Sequence, residues 1–310
     1  MTVPPAPLPP LWRDALFAHA RAHPLTALGF GIALLGVLLL FAQSMVEVIT
    51  GEARAVVIYA VLGGLAGFTT TSLGALPALV LRAIPQRIED SMLGFVAGMM
   101  LAASAFSLLL PGLEAGANIL GSEASGAAVV VVGMALGVLL MLGLDEFTPH
   151  EHGKSGPCGP AFERCGRVWL FVFAIALHNL PEGMAIGVGF SQGDMSVGLP
   201  LAIAIAIQDI PEGLGVALAL RSAGFAPSLS VKVAISSGLL EPLGALLGVG
   251  LSSGLAIAYP IGLGLAAGAM LFVVSHEVIP ETHRNGHQTP ATIGLMLGFA
   301  LMMMLEIAVG

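Results

Sequence analysis

Polar positions are rare along this chain and unevenly spread. Long apolar runs alternate with short polar breaks, and within the runs apolar residues occupy every helical face. Runs of about 20 such residues match the thickness of a bilayer core when they coil as α-helices. The pattern predicts nine of them, at roughly 25–47, 55–81, 91–112, 126–144, 168–190, 197–220, 229–251, 256–275 and 291–309. Residues 1–24 are Pro-rich and then weakly amphipathic, which predicts a cytoplasmic tail on the membrane surface. The longest polar break, 145–167, is rich in Gly and Pro and lacks helical periodicity, so a mobile cytoplasmic loop is expected there. The expected fold is all-α, a polytopic membrane helical bundle. A signal peptide is the alternative for the first run, because it has a basic flank and contains a small-x-small triplet, Ala42-Gln43-Ser44, near its end. The run is longer than the 7–15 residues of a signal h-region, so a retained helix is expected.

Composition supports the membrane reading. The chain is 56% hydrophobic and only 10% charged, against about 25% charged in soluble domains. Its mean hydropathy is +0.95. Its 41 glycines suit closely packed transmembrane helices. The 11 basic residues are scattered, which argues against nucleic-acid binding. Two cysteines, Cys158 and Cys165, lie in the long loop and read as cytosolic thiols. With the N-terminus in the cytoplasm, nine spans put ten of the 11 Lys and Arg residues on the cytoplasmic side and only Arg54 outside. This obeys the positive-inside rule and puts the C-terminus outside.

The chemistry is concentrated in three runs. HNLPEG occupies 178–183 and QDIPEG occupies 208–213. With Glu241 of the following run, these phrases put His178, Glu182, Asp209, Glu212 and Glu241 within about four residues, or ~6 Å, of mid-depth. An acid at a helix centre costs about 2.5–3.5 kcal/mol to insert, so all of them must face the bundle interior. His178 and Glu182 share a helix face at i,i+4, as do Gln208 and Glu212, and Asp209 and Glu212 are i,i+3. Asn179 adds an amide oxygen. Imidazole, carboxylate and amide oxygen together suit a divalent transition metal better than Mg²⁺ or Ca²⁺. A buried polar network that only holds helices together is the simpler alternative. Several like charges at one depth weigh against it, since a divalent cation relieves their repulsion. Pro181 and Pro211 each remove one helical hydrogen bond beside these residues. A packing kink would explain a single proline; Pro-Glu-Gly repeated in neighbouring runs suggests broken helices at a transport site. The two runs are antiparallel, so the repeated phrase has the polarity of an inverted repeat.

These two phrases resemble the signature helices of the ZIP (Zrt/Irt-like) divalent metal transporters, in the GufA-like bacterial branch. The resemblance covers about residues 55–310. It implies a transporter domain of eight spans in a 3+2+3 inverted repeat, often homodimeric, moving like an elevator. It also implies inward transport of Zn²⁺, and of related ions such as Cd²⁺, Fe²⁺ and Mn²⁺, through a binuclear midplane site. Carried over by motif position, the metal residues are His178, Asn179, Glu182, Gln208, Asp209, Glu212 and Glu241. The run at 25–47 is then an extra N-terminal span. The loop 145–167 is shorter than the His-rich loop of many relatives. The implied location is a bacterial inner membrane.

Secondary candidates surround this set. Met100, with Ser104 and Ser107 on one stripe, offers a thioether near mid-depth, although methionine commonly only fills gaps. Asp145, Glu146, His150 and His152, and also His276 and Glu277, end runs on the cytoplasmic side and would form a metal exit path or a merely solvated rim. An intramembrane metalloprotease is disfavoured because HEVIP at 276–280 has Pro where HExxH needs its second His. A channel-like facilitator and a proton- or sodium-coupled transporter of another substrate remain as alternatives. No P-loop motif is present, so ATP is not expected to drive transport, and no catalytic cofactor is expected.

Overall fold

The computed structural model describes residues 12–50, 54–147, 150–152, 156–158, 167–222, 224–252, 255–283 and 285–309; the side chains of 12–15, 40–41, 43–50, 54, 150–152, 156–158, 167–178, 222 and 309 fall outside this description. A short helix, α1 (Trp12–Ala22), precedes nine long ones. These are α2 (Pro24–Thr50), α3 (Arg54–Ala75), α4 (Gln86–Leu120), α5 (Glu123–Phe147), α6 (Arg167–Phe190), α7 (Met195–Ser222), α8 (Pro227–Ser252), α9 (Ala258–Thr282) and α10 (Gln288–Val309). Every expected span has its helix. Among the described residues, seven helices are long and apolar enough to cross a membrane, and α2 adds an eighth when taken with α1, which it meets at 112°. Pro24 sits at that bend. The ninth expected span coincides with α6. Large apolar side chains such as Leu62, Val131 and Met296 remain exposed along the helices, as a lipid-facing surface requires.

Irregularities follow the prolines, but not where the sequence suggested. Helices α6 and α7 run unbroken through Pro181 and Pro211, so the expected breaks there are absent. A proline removes one backbone bond, and the close packing of α8 on α6 and of α3 on α7 holds each helix together. The interruptions lie elsewhere. Helix α8 is interrupted at Leu239, just before Glu241 and Pro242. Helices α4 and α9 each widen into a π-helical turn, Ala103–Leu109 and Val274–Val278, just ahead of Pro111 and Pro280. Such a wide turn absorbs the hydrogen bond that the proline cannot make. The loop after α5 is not wholly irregular either. It contains a small antiparallel ribbon pairing His150–His152 with Gly156–Cys158, while Cys165 lies outside the described residues.

The inverted repeat is visible in the pairing of helices. The four most extensive pairings are α3 with α7, α8 with α6, α4 with α10 and α9 with α5. Exchanging α3 with α8, α4 with α9, α5 with α10 and α6 with α7 maps this set onto itself. The correspondence holds at the level of single glycines. Added Cβ atoms on Gly94 and Gly98 of α4 would strike the carbonyls of Ala291 and Leu295 on α10, and those on Gly264 and Gly268 of α9 would strike the carbonyls of Val130 and Met134 on α5. One offset, 170 residues, relates both glycine pairs, and one offset, 161, relates both carbonyl pairs. The 170-residue offset also relates Met100 to Met270, both buried. Small residues four apart let backbones approach closely, which is how such helices associate without a hydrophobic driving force. Helix α2 stands outside this symmetry. It packs on α5 and on the second half of α8, with Gly29 against Leu139 and Phe30 against Gly143.

Candidate metal centre

Three helices bring the polar residues together. Helix α6 supplies Asn179 and Glu182, α7 supplies Gln208, Asp209 and Glu212, and α8 supplies Glu241 in the first turn after its interruption. Asn179, Glu182, Gln208, Asp209 and Glu241 are all buried. Glu182, Asp209 and Glu212 offer oxygens that lie within 4.8 Å of one another. Gln208 donates from Nε2 to Glu182 Oε1 at 2.5 Å, joining the two signature phrases directly. The helix break at Leu239 leaves Glu241 at a helix N-terminus, whose dipole favours an anion.

Glycines shape the room. The Gly of each Pro-Glu-Gly phrase is a contact point: a Cβ on Gly183 would strike the backbone of Glu241, and one on Gly213 would strike the backbone of Thr71. Thr71 and Glu241 are again related by 170 residues. Gly67, one turn before Thr71 on α3, faces the carboxylates, and a Cβ there would overlap Glu241 and press on Asp209. The repeated phrase thus combines a proline, an inward carboxylate and a glycine that admits the neighbouring helix.

Five oxygens in this cluster are buried with no fixed N–H or O–H donor among the described residues. They are Asn179 Oδ1, Glu182 Oε2, Gln208 Oε1, Asp209 Oδ2 and Glu241 Oε2. The Asp209 and Glu241 carboxyls lie within hydrogen-bond reach of each other. Buried acceptors are normally satisfied, and leaving one unmade costs about 1–3 kcal/mol. Five such acceptors on three converging helices, four acids among their residues and neighbours, form a donor set fit for a divalent cation. His178 belongs to the same helix, but its side chain lies outside the described residues.

Thr71 was not anticipated. Its Oγ1 donates to Glu241 Oε1 at 2.8 Å. The run Thr69-Thr70-Thr71 in an apolar helix was the available signal, but its other two hydroxyls bond to their own helix's carbonyls, so sequence does not single out Thr71. Met100 is buried in the principal apolar cluster. The two serines of its stripe are occupied, Ser104 by the carbonyl of Met100 at 2.8 Å and Ser107 by Glu306 at 2.6 Å.

Of the residues at the expected exit, two meet across helices. His276 Nε2 lies 3.5 Å from Asp145 Oδ2, and its ring stacks on Phe272. Glu277 lies in the same π turn as His276. Glu146, next to Asp145, points to a different partner, His19 of α1, at 2.7 Å. Consecutive residues diverge by about 100° on a helix, so the two acids serve different neighbours. The side chains of His150 and His152 lie outside the described residues.

Comparison with known proteins adds an independent line. A family model described as ZIP Zinc transporter matches residues 149–306. The chain is 64% identical over 298 residues to zinc transporter ZIPB of Bordetella bronchiseptica, covering 96% of each chain. It is 42% identical to zinc transporter GufA of Myxococcus xanthus over 78% of this chain and 95% of that one. Human zinc transporter ZIP11 is 31% identical over 82% of this chain and 98% of its own.

Proposed function

This chain belongs to the ZIP zinc-transporter family, and from that premise we propose that Zn²⁺ crosses the membrane by way of the buried carboxylate cluster of α6, α7 and α8. It is a multi-pass membrane transporter of divalent metal, not an enzyme. The observation that carries the proposed route is the convergence of buried oxygens from the two signature phrases and Glu241, with Asn179 Oδ1, Glu182 Oε2 and Gln208 Oε1 lacking a hydrogen-bond partner among the described residues.

Hydrated Zn²⁺ exchanges water for ligands drawn from His178, Asn179, Glu182, Gln208, Asp209, Glu212 and Glu241. Ligands shed protons as the metal binds. Glu182 of α6 and Glu212 of α7 are the carboxylate that the repeated phrase gives to each half, and would bridge two metals. Met100 would add a soft ligand for Zn²⁺ or Cd²⁺; Fe²⁺ and Mn²⁺ are candidate alternative cargoes. The complete burial of Glu182, Gln208 and Glu241 favours a carrier over an open pore. Alternating access then exposes the centre to each side in turn, with release past Asp145, His276 and Glu277, and His150 and His152 beyond them. The further elements of this reading are a homodimer in the bacterial inner membrane, a transporter domain at 55–310, and an N-terminus in the cytoplasm.

The test is zinc uptake into proteoliposomes by the wild type, Glu182→Ala and Glu212→Ala, with calcium as control ion. Wild type is expected to take up zinc and not calcium. Each folded variant is expected to lose at least nine-tenths of that uptake. Undiminished uptake in both variants would remove the cluster from the route.

A further inference from the structure

We propose that His19, His23 and Glu146 form a second site for a divalent transition metal, which clasps α1 to the end of α5. Glu146 is 127 positions from His19 in the chain, yet a ligand atom from each of the three residues lies within 4.8 Å of the other two. His19 Nε2 is 2.7 Å from Glu146 Oε1, and His23 Nδ1 is 3.6 Å from the same oxygen. The two imidazoles stack with centroids 4.5 Å apart. Two rings converging on one carboxylate oxygen exceed what a single histidine–carboxylate hydrogen bond requires.

The backbone holds this arrangement. His19 and His23 are i,i+4, and His23 donates its backbone N–H to the His19 carbonyl at 2.9 Å although the chain turns sharply at Pro24. His23 therefore stays on the helical face of His19 while α2 departs at 112°. Glu146 is held from the other side: Phe147, beside it, stacks on Phe30 of α2 and meets His19 edge-on. The ligands of a tetrahedral zinc, bonded at about 2.0–2.2 Å, lie roughly 3.3 Å apart. Two imidazoles and one carboxylate leave the fourth position to water, a donor set that suits zinc and excludes calcium in preference.

The site is accessible, with side-chain exposures of 23% for His19, 46% for His23 and 29% for Glu146. That separates it from the buried centre of α6–α8, and it does not depend on which route the transported ion takes. It also adjoins the Asp145–His276 pair, so metal bound there occupies the same end of the bundle.

The experiment uses the full-length chain in detergent micelles, with zinc counted per chain after equilibrium dialysis. The wild type is compared with His19→Ala/His23→Ala and with Glu146→Gln. The double variant is expected to bind one zinc fewer than wild type, and Glu146→Gln to hold that zinc at least tenfold more weakly. Equal stoichiometry and affinity in all three would overturn the site. If a variant misfolds, the wild type alone decides. Zinc, but not calcium, must slow the reaction of His19 and His23 with diethyl pyrocarbonate at least tenfold, read on their peptide by mass spectrometry. Unchanged rates would equally overturn the proposal.

Discussion

Thr71 and Gly67 carry as much of the centre's design as the acids do. Thr71 supplies a hydroxyl that holds an oxygen of Glu241, and hydrogen bonds to charged groups are worth about 1.5–3 kcal/mol. Thr71→Val keeps the shape and removes the donor. Zinc affinity at the midplane is expected to fall about tenfold or more in Thr71→Val and to be restored in Thr71→Ser, measured by equilibrium binding in detergent. Gly67→Ala tests space instead of hydrogen bonding. Alanine favours a helix over glycine by about 1 kcal/mol, so the chain should fold at least as well. The added Cβ overlaps the Glu241 carboxylate, and zinc uptake is expected to drop at least tenfold at unchanged melting temperature. Uptake equal to wild type would show that the carboxylate is not held where α3 passes it.

Helix against helix, the fold depends on backbone contact at glycine. Gly98 on α4 and Gly268 on α9 are related by the repeat, and each would drive a Cβ into a neighbouring carbonyl. Gly31 on α2 has nothing within 4 Å of such an atom. Gly98→Val and Gly268→Val are therefore each expected to destabilise by about 1–3 kcal/mol or more. Gly31→Val should leave the melting temperature in detergent within a few degrees of wild type. Unequal losses at the two related glycines would mean that the halves share topology without sharing mechanical roles. The prolines act differently at this scale. Pro181 and Pro211 sit inside continuous helices, whereas Pro111, Pro280 and Pro242 follow a π turn, a second π turn and a helix interruption. A proline's effect on its helix is decided by which neighbours hold the turn before it.

For the molecule as a whole, α1 and α2 are an addition to a symmetric bundle of eight helices. They touch α5 and α8 but contribute no residue to the α6–α8 cluster among the described residues. A chain lacking residues 1–53 is expected to retain zinc uptake in proteoliposomes and to lose the zinc held by His19 and His23. Loss of all uptake in a folded truncation would make α2 part of the transport machinery. Because the length of an apolar run is set by the bilayer and not by its neighbours, the sequence alone determined the number and approximate positions of the long helices, but not their ends: α4 runs eight residues beyond the expected 112. It also determined which acids face inward, since a carboxylate at mid-depth has no tolerable place against lipid. The antiparallel repeat of one phrase predicted an inverted repeat before any contact was known. Tertiary structure alone decided the rest. Thr71 with Glu241, Gly67 beneath the carboxylates, and His19 with Glu146 join residues more than 100 positions apart. Nothing in the local pattern encodes such meetings, because they depend on the crossing and register of helices that only the packed bundle fixes.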